Sequence, residues 1–190
     1  MRKNNLVKAA ILQAAERLFQ KWGINKTTME DIAHEAGKGK STLYYYFKSK
    51  EDVLEAVAVA QGTRILSAVK DEIAPKATAK EKLLAYVYTT FREIRQAITL
   101  YEIARGEIKA EKALVDRTMK KFDAEDGKIL ESILDFGIRT GEFKSIGSQD
   151  IKSAVRAIQT VKRSLTIDLI IDSGDKELID LIIRLFFEGL

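Results

Sequence analysis

The chain has 190 residues, 46% hydrophobic and 32% charged, with one proline and no cysteine. This excludes a disordered chain, a disulfide framework, thiolate metal sites and cysteine nucleophiles, and no run of 18 apolar residues offers a membrane span. Of 32 Lys/Arg and 28 Asp/Glu in the chain, residues 1–50 hold ten and four, a net of +6 against −2 for the remainder, so the positive field lies over the first quarter and points to a polyanion partner there.

The N-terminus, MRKNNLVKAAILQAAERLF, is basic, but Glu16 and Arg17 interrupt its apolar positions, so it is not a signal-peptide core, and a cytoplasmic location is expected. A first helix is expected from about residue 4 to 22, with Ile11, Ala15, Leu18 and Trp22 on one face and Gly23 as the stop. Thr28 is a good N-cap for a short second helix, with Asp31 in its first turn, Met29, Ile32, Ala33 and Ala36 as its apolar face, and Gly37 at its end. A third short helix covers about 40 to 47 with Leu43 and Phe47 inward. After the polar break Lys48-Ser49-Lys50, Ser49 caps a fourth helix with a stripe of Leu54, Val57, Ile65 and Ala68, which must end before Pro75. Further helices are expected at about 79–104, 107–120, 121–140, 149–172 and 175–189, with Gly141 and Gly147 bracketing one turn and no sheet anywhere. The expected class is all-α: a helix-turn-helix domain over residues 1–50 and a larger helical domain over 51–190, with the fourth helix joining the two.

Two short helices around a glycine-containing turn, behind a longer first helix, make a three-helix DNA-binding unit. Leu18, Phe19, Ile32, Ala33 and Leu43 supply its core. With Leu43 and Phe47 turned inward, the third helix is left presenting Lys40, Ser41, Thr42, Tyr44, Tyr45 and Tyr46. These types suit a groove: lysine for phosphates or guanine edges, hydroxyls for either, and tyrosine OH for phosphate oxygens. Three consecutive tyrosines on one short helix cannot all be buried.

The segment TTMEDIAHEAGKGKSTLYYYFKSKEDVL, Thr27 to Leu54, closely resembles the signature of TetR-family regulators, and the upstream AAERLFQKWG resembles that family's first helix. The resemblance implies a sequence-specific transcriptional regulator, commonly a repressor. By it, Thr28 would cap the second helix and bond a phosphate, Lys40 and Thr42 would reach base edges, and Tyr44, Tyr45 and Tyr46 would touch phosphates, sugars or thymine methyls. Lys50 would clamp the DNA backbone, and Lys38, Ser41 and Lys48 complete the expected DNA-binding set. Lys38-Gly39 departs from the valine and small polar residue common after the Ala-Gly turn, making this turn more basic and flexible. For Tyr46 the competing reading is packing against a neighbouring helix.

Other chemistry finds little support. GKS at residues 39–41 lacks the earlier glycine of a phosphate-binding loop, because His34 stands there, and a helix rather than a strand precedes it. His34, the single histidine, is expected on a solvated face. Glu125-Asp126 and Glu102 with Glu107 are read as exposed helix faces. No catalytic constellation, metal site or cofactor is expected.

In the body, Ile151, Val155, Ile158, Val161, Leu165 and Leu169 line one helix, and the final helix is apolar almost all round, including Ile182 and Phe186. A homodimer interface using Ile158, Val161, Leu165, Leu169, Ile182 and Phe186 would cover them, as in the family's four-helix bundle. It would place two third helices on a pseudo-palindromic double-stranded operator. Tyr86, Phe91, Tyr101, Phe122 and Phe136 are candidates for lining a small-molecule effector cavity, with Arg92, Arg95 and Arg105 available to an anionic effector. The competing reading is a helical ligand-binding or scaffolding protein whose basic head binds DNA without sequence preference.

Overall fold

The computed structural model describes residues 2–100, 107, 112–166 and 181. The helices are α1 (Arg2–Trp22), α2 (Met29–Glu35), α3 (Lys40–Tyr46), α4 (Lys50–Ile73), α5 (Ala79–Leu100), α6 (Lys112–Arg139) and α7 (Ile151–Leu165), the last led in by a 3-10 turn at Ser148–Asp150. Among the described residues there is no strand, and no helix is long and apolar enough to cross a membrane. The chain divides into two compact units, Met1–Gln61 with Ala97–Thr118, and Gly62–Gln96 with Met119–Leu190.

In the first unit, the helical repeat of α1 lays Ile11, Ala15, Leu18 and Phe19 on one side, against Met29, Ile32 and Ala33 of α2, Leu43 of α3 and Val53 and Val57 of α4. Burying each such aliphatic side chain stabilises the head by about 1.5–3 kcal/mol. Gly23 ends α1 in the left-handed region (φ 85°), its amide bonding Phe19 O at 3.0 Å. α2 is bounded on both sides: Thr28 and Asp31 form a capping box, and Gly37 (φ 63°) closes a Schellman turn in which Lys38 N reaches Ala33 O at 2.9 Å and Gly37 N reaches His34 O at 3.0 Å. Ser49 and Asp52 cap α4 reciprocally, Asp52 N donating to Ser49 Oγ (3.1 Å) and Ser49 N to Asp52 Oδ2 (3.2 Å).

In the second unit, α5 starts from a Thr78–Glu81 capping box, and Glu142 accepts the amides of Ala79 and Lys80 at 3.0 and 3.2 Å. Ile129, Leu130, Ile133 and Leu134 of α6 are buried, as are Tyr86, Val87 and Phe91 of α5. The ring of Phe122 lies where a Cβ on Gly62 would stand, and that of Phe143 where one on Gly137 would, so both positions admit only glycine without rearrangement.

Several expectations are corrected. Trp22 is 41% exposed, not core: the chain reverses at Gly23 and Ile24 takes the buried place. The buried stripe of α4 is Val53, Val57, Leu66 and Val69, while Leu54, Ile65 and Ala68 are half-buried. Lys50 is turned inward, which puts Val53 and Val57, three and seven residues on, on the same face. The expected break near residue 120 does not exist. α6 runs unbroken through Lys120-Lys121, which are polar but good helix formers, with no Gly or Pro beside them. Asp126 is buried, and Glu107 is half-buried and hydrogen-bonded, so neither is the exposed acid expected. The expected final helix at 175–189 lies outside the described residues apart from Leu181, which is helical and exposed.

Candidate nucleic-acid interface

α3 is held by its two inward residues, Leu43 and Phe47, both buried. The helical period then dictates the rest. Ser41 and Tyr45 point away from the core; Tyr45 is 71% exposed. Thr42 is half-buried beside them. Lys40 and Tyr44 form the flank toward α2, where the Lys40 ammonium pairs with Glu30 and sits 5.9 Å from the Tyr44 ring centroid. The Lys40 ammonium holds the Glu30 carboxyl below the usual carboxylate range, and Glu30 raises Lys40 in turn. Tyr46 forms the other flank: its OH donates to Asn4 Oδ1 of α1 at 3.1 Å, and its ring meets Tyr45 edge-on at 5.0 Å. α3 thus carries an exposed strip of hydroxyls, an ammonium and two phenol rings, chemistry that matches base edges and phosphates.

The turns flanking this strip are fixed from inside. Thr28 Oγ1 donates to Asp31 Oδ2 at 2.6 Å and accepts from Asp31 N at 3.2 Å, so its proton serves the capping box. Thr27 is buried, its hydroxyl donating to Gly23 O at 2.7 Å. Lys50 Nζ donates to the carbonyls of Ile24 (2.8 Å), Thr27 (3.1 Å) and Asn25 (3.3 Å). That ammonium clamps the α1–α2 turn rather than standing free at the surface. Lys38 is half-buried. Lys48 is exposed, with Nζ 3.5 Å from Tyr44 O. His34 is exposed, as expected of a solvated histidine. Among the described residues, no group of three or more His, Cys, Asp or Glu is placed to hold a metal ion.

Residues 11–57 match the family model described as bacterial regulatory proteins of the tetR family. The chain therefore carries a TetR-family helix-turn-helix domain over these residues. It is accordingly a helix-turn-helix DNA-binding transcriptional regulator. The fatty acid metabolism regulator protein of Bacillus subtilis is 28% identical to this chain over 134 residues, covering 70% of this chain and 69% of that protein. The HTH-type transcriptional repressor KstR2 of Rhodococcus jostii is 25% identical over 150 residues, covering 78% and 72%. A solved TetR/AcrR-family transcriptional regulator from Thermobifida fusca superimposes with a TM-score of 0.71 at 26% identity, covering 96% of this chain and 97% of that one.

The candidate effector residues have separate surroundings in the second unit. Tyr86 is fully buried, and its OH donates to Asp126 Oδ1 at 2.7 Å. Lys162 Nζ bonds both Tyr86 OH (2.9 Å) and Asp126 Oδ2, and Gln159 Nε2 adds a bond to Asp126 Oδ2 at 3.1 Å. Beside them Arg163 grips Asp123 at 2.7 and 2.8 Å. Phe91 is buried, while Phe122 and Phe136 are half-buried, Phe136 with Lys82 Nζ 5.9 Å from its ring. Arg92 pairs with Glu93 at 3.0 Å; Tyr101 and Arg105 lie outside the described residues. Sequence reasoning missed Lys162, Gln159 and Asp126 because their types read as solvent-facing; for Gln159 and Lys162 the helical spacing shared with Val155 and Thr166 was the available signal, whereas Asp126, on α6, offered none.

α7 has two faces roughly a quarter-turn apart. Val155, Gln159, Lys162 and Thr166 face inward, while Ile158 and Leu165 are half-buried and Val161 is 47% exposed on the other face. Leu169, Ile182 and Phe186, also expected at a dimer interface, lie outside the described residues.

Proposed function

We propose that this regulator is a homodimeric repressor that reads an inverted-repeat operator through the exposed face of α3 and leaves it when a small molecule binds the C-terminal part. Residues 1–50 are the reading domain and 51–190 the effector-binding and dimerisation domain. The observation that carries the reading is α3 itself: Leu43 and Phe47 anchor it, which leaves Ser41, Tyr45, Lys40 and Tyr44 toward solvent within the most basic quarter of the chain. Lys40 and Thr42 reach base edges; Tyr44, Tyr45 and Lys48 take phosphates and sugars; Thr28 and Lys38 approach the backbone at the ends of α2. Lys50 and Tyr46 act one step back, holding the α1–α2 turn and α1 in place for the contacts the others make.

The exposed apolar face of α7 supports dimerisation, since Ile158, Val161 and Leu165 would be covered by a two-fold copy. Two α3 helices would then stand about 34 Å apart, one turn of DNA. For the effector, the second unit offers Tyr86, Phe91, Phe122 and Phe136, and a relative named for fatty acid metabolism makes acyl compounds the first class to titrate. A regulator of this kind has no catalytic task and works in the cytoplasm, where its DNA is.

Competition separates this reading from a non-specific binder. With a bound site in hand, the complex should withstand roughly 10³-fold excess of unrelated duplex. Lys40→Ala should weaken it by about tenfold to a hundredfold with the fold intact. Displacement by equimolar unrelated DNA, or unchanged affinity in both Lys40→Ala and Tyr44→Phe, contradicts the assigned face.

A further inference from the structure

We propose that Glu107 is the positioning residue through which effector binding in the C-terminal part reaches the DNA-reading helices, an inference that rests on the ligand-released repressor proposed above. Its carboxylate Oε2 accepts the amides of Ile24 (2.5 Å) and Asn25 (3.1 Å), the two residues that follow Gly23 in the turn after α1. Gly23 makes room for this approach: a Cβ there would stand 3.1 Å from Oε2, in a backbone conformation (φ 85°) that side chains resist. The same turn is held from its carbonyl side by Lys50 Nζ, on Ile24, Asn25 and Thr27. One short turn therefore has its donors on an anion and its acceptors on a cation. Charge-assisted bonds of this kind are about twice as strong as neutral ones.

The placement of these two charges along the chain gives the turn its role. Residues Ala97–Thr118 belong to the compact unit of the head, although in sequence they lie between the bulk of α5 and the bulk of α6, which belong to the other unit. Lys50 likewise begins α4, whose far half belongs to the other unit. Lys50 thus opens a helix that runs into the other unit, and residue 107 lies in sequence between α5 and α6, the helices that carry the candidate effector residues. The turn in turn sets α2, through the buried Thr27 and the Thr28–Asp31 box, and α2 packs Ile32 and Ala33 into the core that seats Leu43 of α3. A displacement of residue 107 along its own segment therefore either drags the turn or releases it, and α3 is repositioned in both cases. Lys50 holds the turn to α4; Glu107 reports the α5–α6 segment.

Hydrogen exchange with and without an operator duplex, selected from random DNA, tests this. In the wild-type chain, DNA binding should change amide protection across 79–96 and 119–139 as well as in the head, because coupling is reciprocal. Glu107→Ala should still bind the duplex, with faster exchange at Ile24 and Asn25, and should lose more than half of the protection change at 79–96 and 119–139. Glu107→Gln keeps an acceptor oxygen and should fall between the two; it carries the comparison if Glu107→Ala does not fold. A protection change at those residues as large in the Glu107 variants as in wild type, or none in wild type itself, overturns the proposal. If wild type selects no duplex at all, the operator-reading proposal has failed first, and this one falls with it.

Discussion

Lys40 has two partners that compete. In the free protein its ammonium pairs with Glu30 and lies against Tyr44, and both groups are solvent-facing. A pair this exposed contributes little to stability. Its consequence is for binding: Lys40 must leave Glu30 to reach a base edge, and Glu30 then stands uncompensated near phosphates. Glu30→Gln should therefore raise affinity for unrelated duplex by a few-fold more than for the operator, lowering the ratio between them. Titrations of both duplexes at two salt concentrations check this; an unchanged ratio removes Glu30 from the account of specificity. Because Lys40 holds the Glu30 carboxyl below its ordinary value of 4.5, the pair persists throughout the neutral range in which such binding is measured.

At the scale of elements, α2 depends on its ends. Seven residues make a helix too short to stand alone, so its capping box and its Schellman turn supply order that propensity does not. Thr28→Ala should cost about 1 kcal/mol of unfolding free energy in a denaturant titration. Gly37→Ala should cost about 1–2 kcal/mol, since φ is 63° there. A loss below a few tenths in both would mean that the core alone fixes α2. These ends were legible because Thr28, Asp31 and Gly37 are the residue types that the backbone demands there. The core of the head was legible for the same reason, from the spacing of Ile11, Leu18, Ile32, Leu43 and Phe47. What sequence did not reveal was rotation and continuity. Nothing in the local pattern says that Lys50 turns inward and brings Val53 into the core with Val57, or that Lys120-Lys121 sits mid-helix. Partners far along the chain, such as Glu107 with Ile24, leave no periodic trace.

At the scale of the whole molecule, the second unit encloses a buried ionic cluster. Lys162 is desolvated beside Asp126, and burial draws its ammonium below the usual lysine value. Buried pairs of this kind cost more when broken than they contribute when intact, so Lys162→Met, which leaves Asp126 to Tyr86 and Gln159, should destabilise by about 3 kcal/mol. Burial, together with the Asp126 carboxylate, pushes the Tyr86 phenol well above its ordinary value of 10.0. The folded state then keeps a proton that the unfolded chain gives up in alkali. Stability from this group is full below about pH 10 and is lost as pH rises toward the folded-state value. Tyr86→Phe should accordingly flatten the alkaline decline of stability, measured by unfolding between pH 8 and 11; an unchanged slope would contradict that assignment. On the other face of α7, Val161→Arg should shift sedimentation toward a monomer and weaken operator binding with the helical content unchanged.

Selection of binding sites from random duplex DNA by the purified chain, at near-physiological salt, tests most directly that α3 is a sequence reader. Enrichment of an inverted repeat with half-sites about one helical turn apart, lost in Lys40→Ala, is the predicted result. A folded chain that binds the pool without enriching any sequence would contradict it and leave the basic head as a general DNA-binding surface.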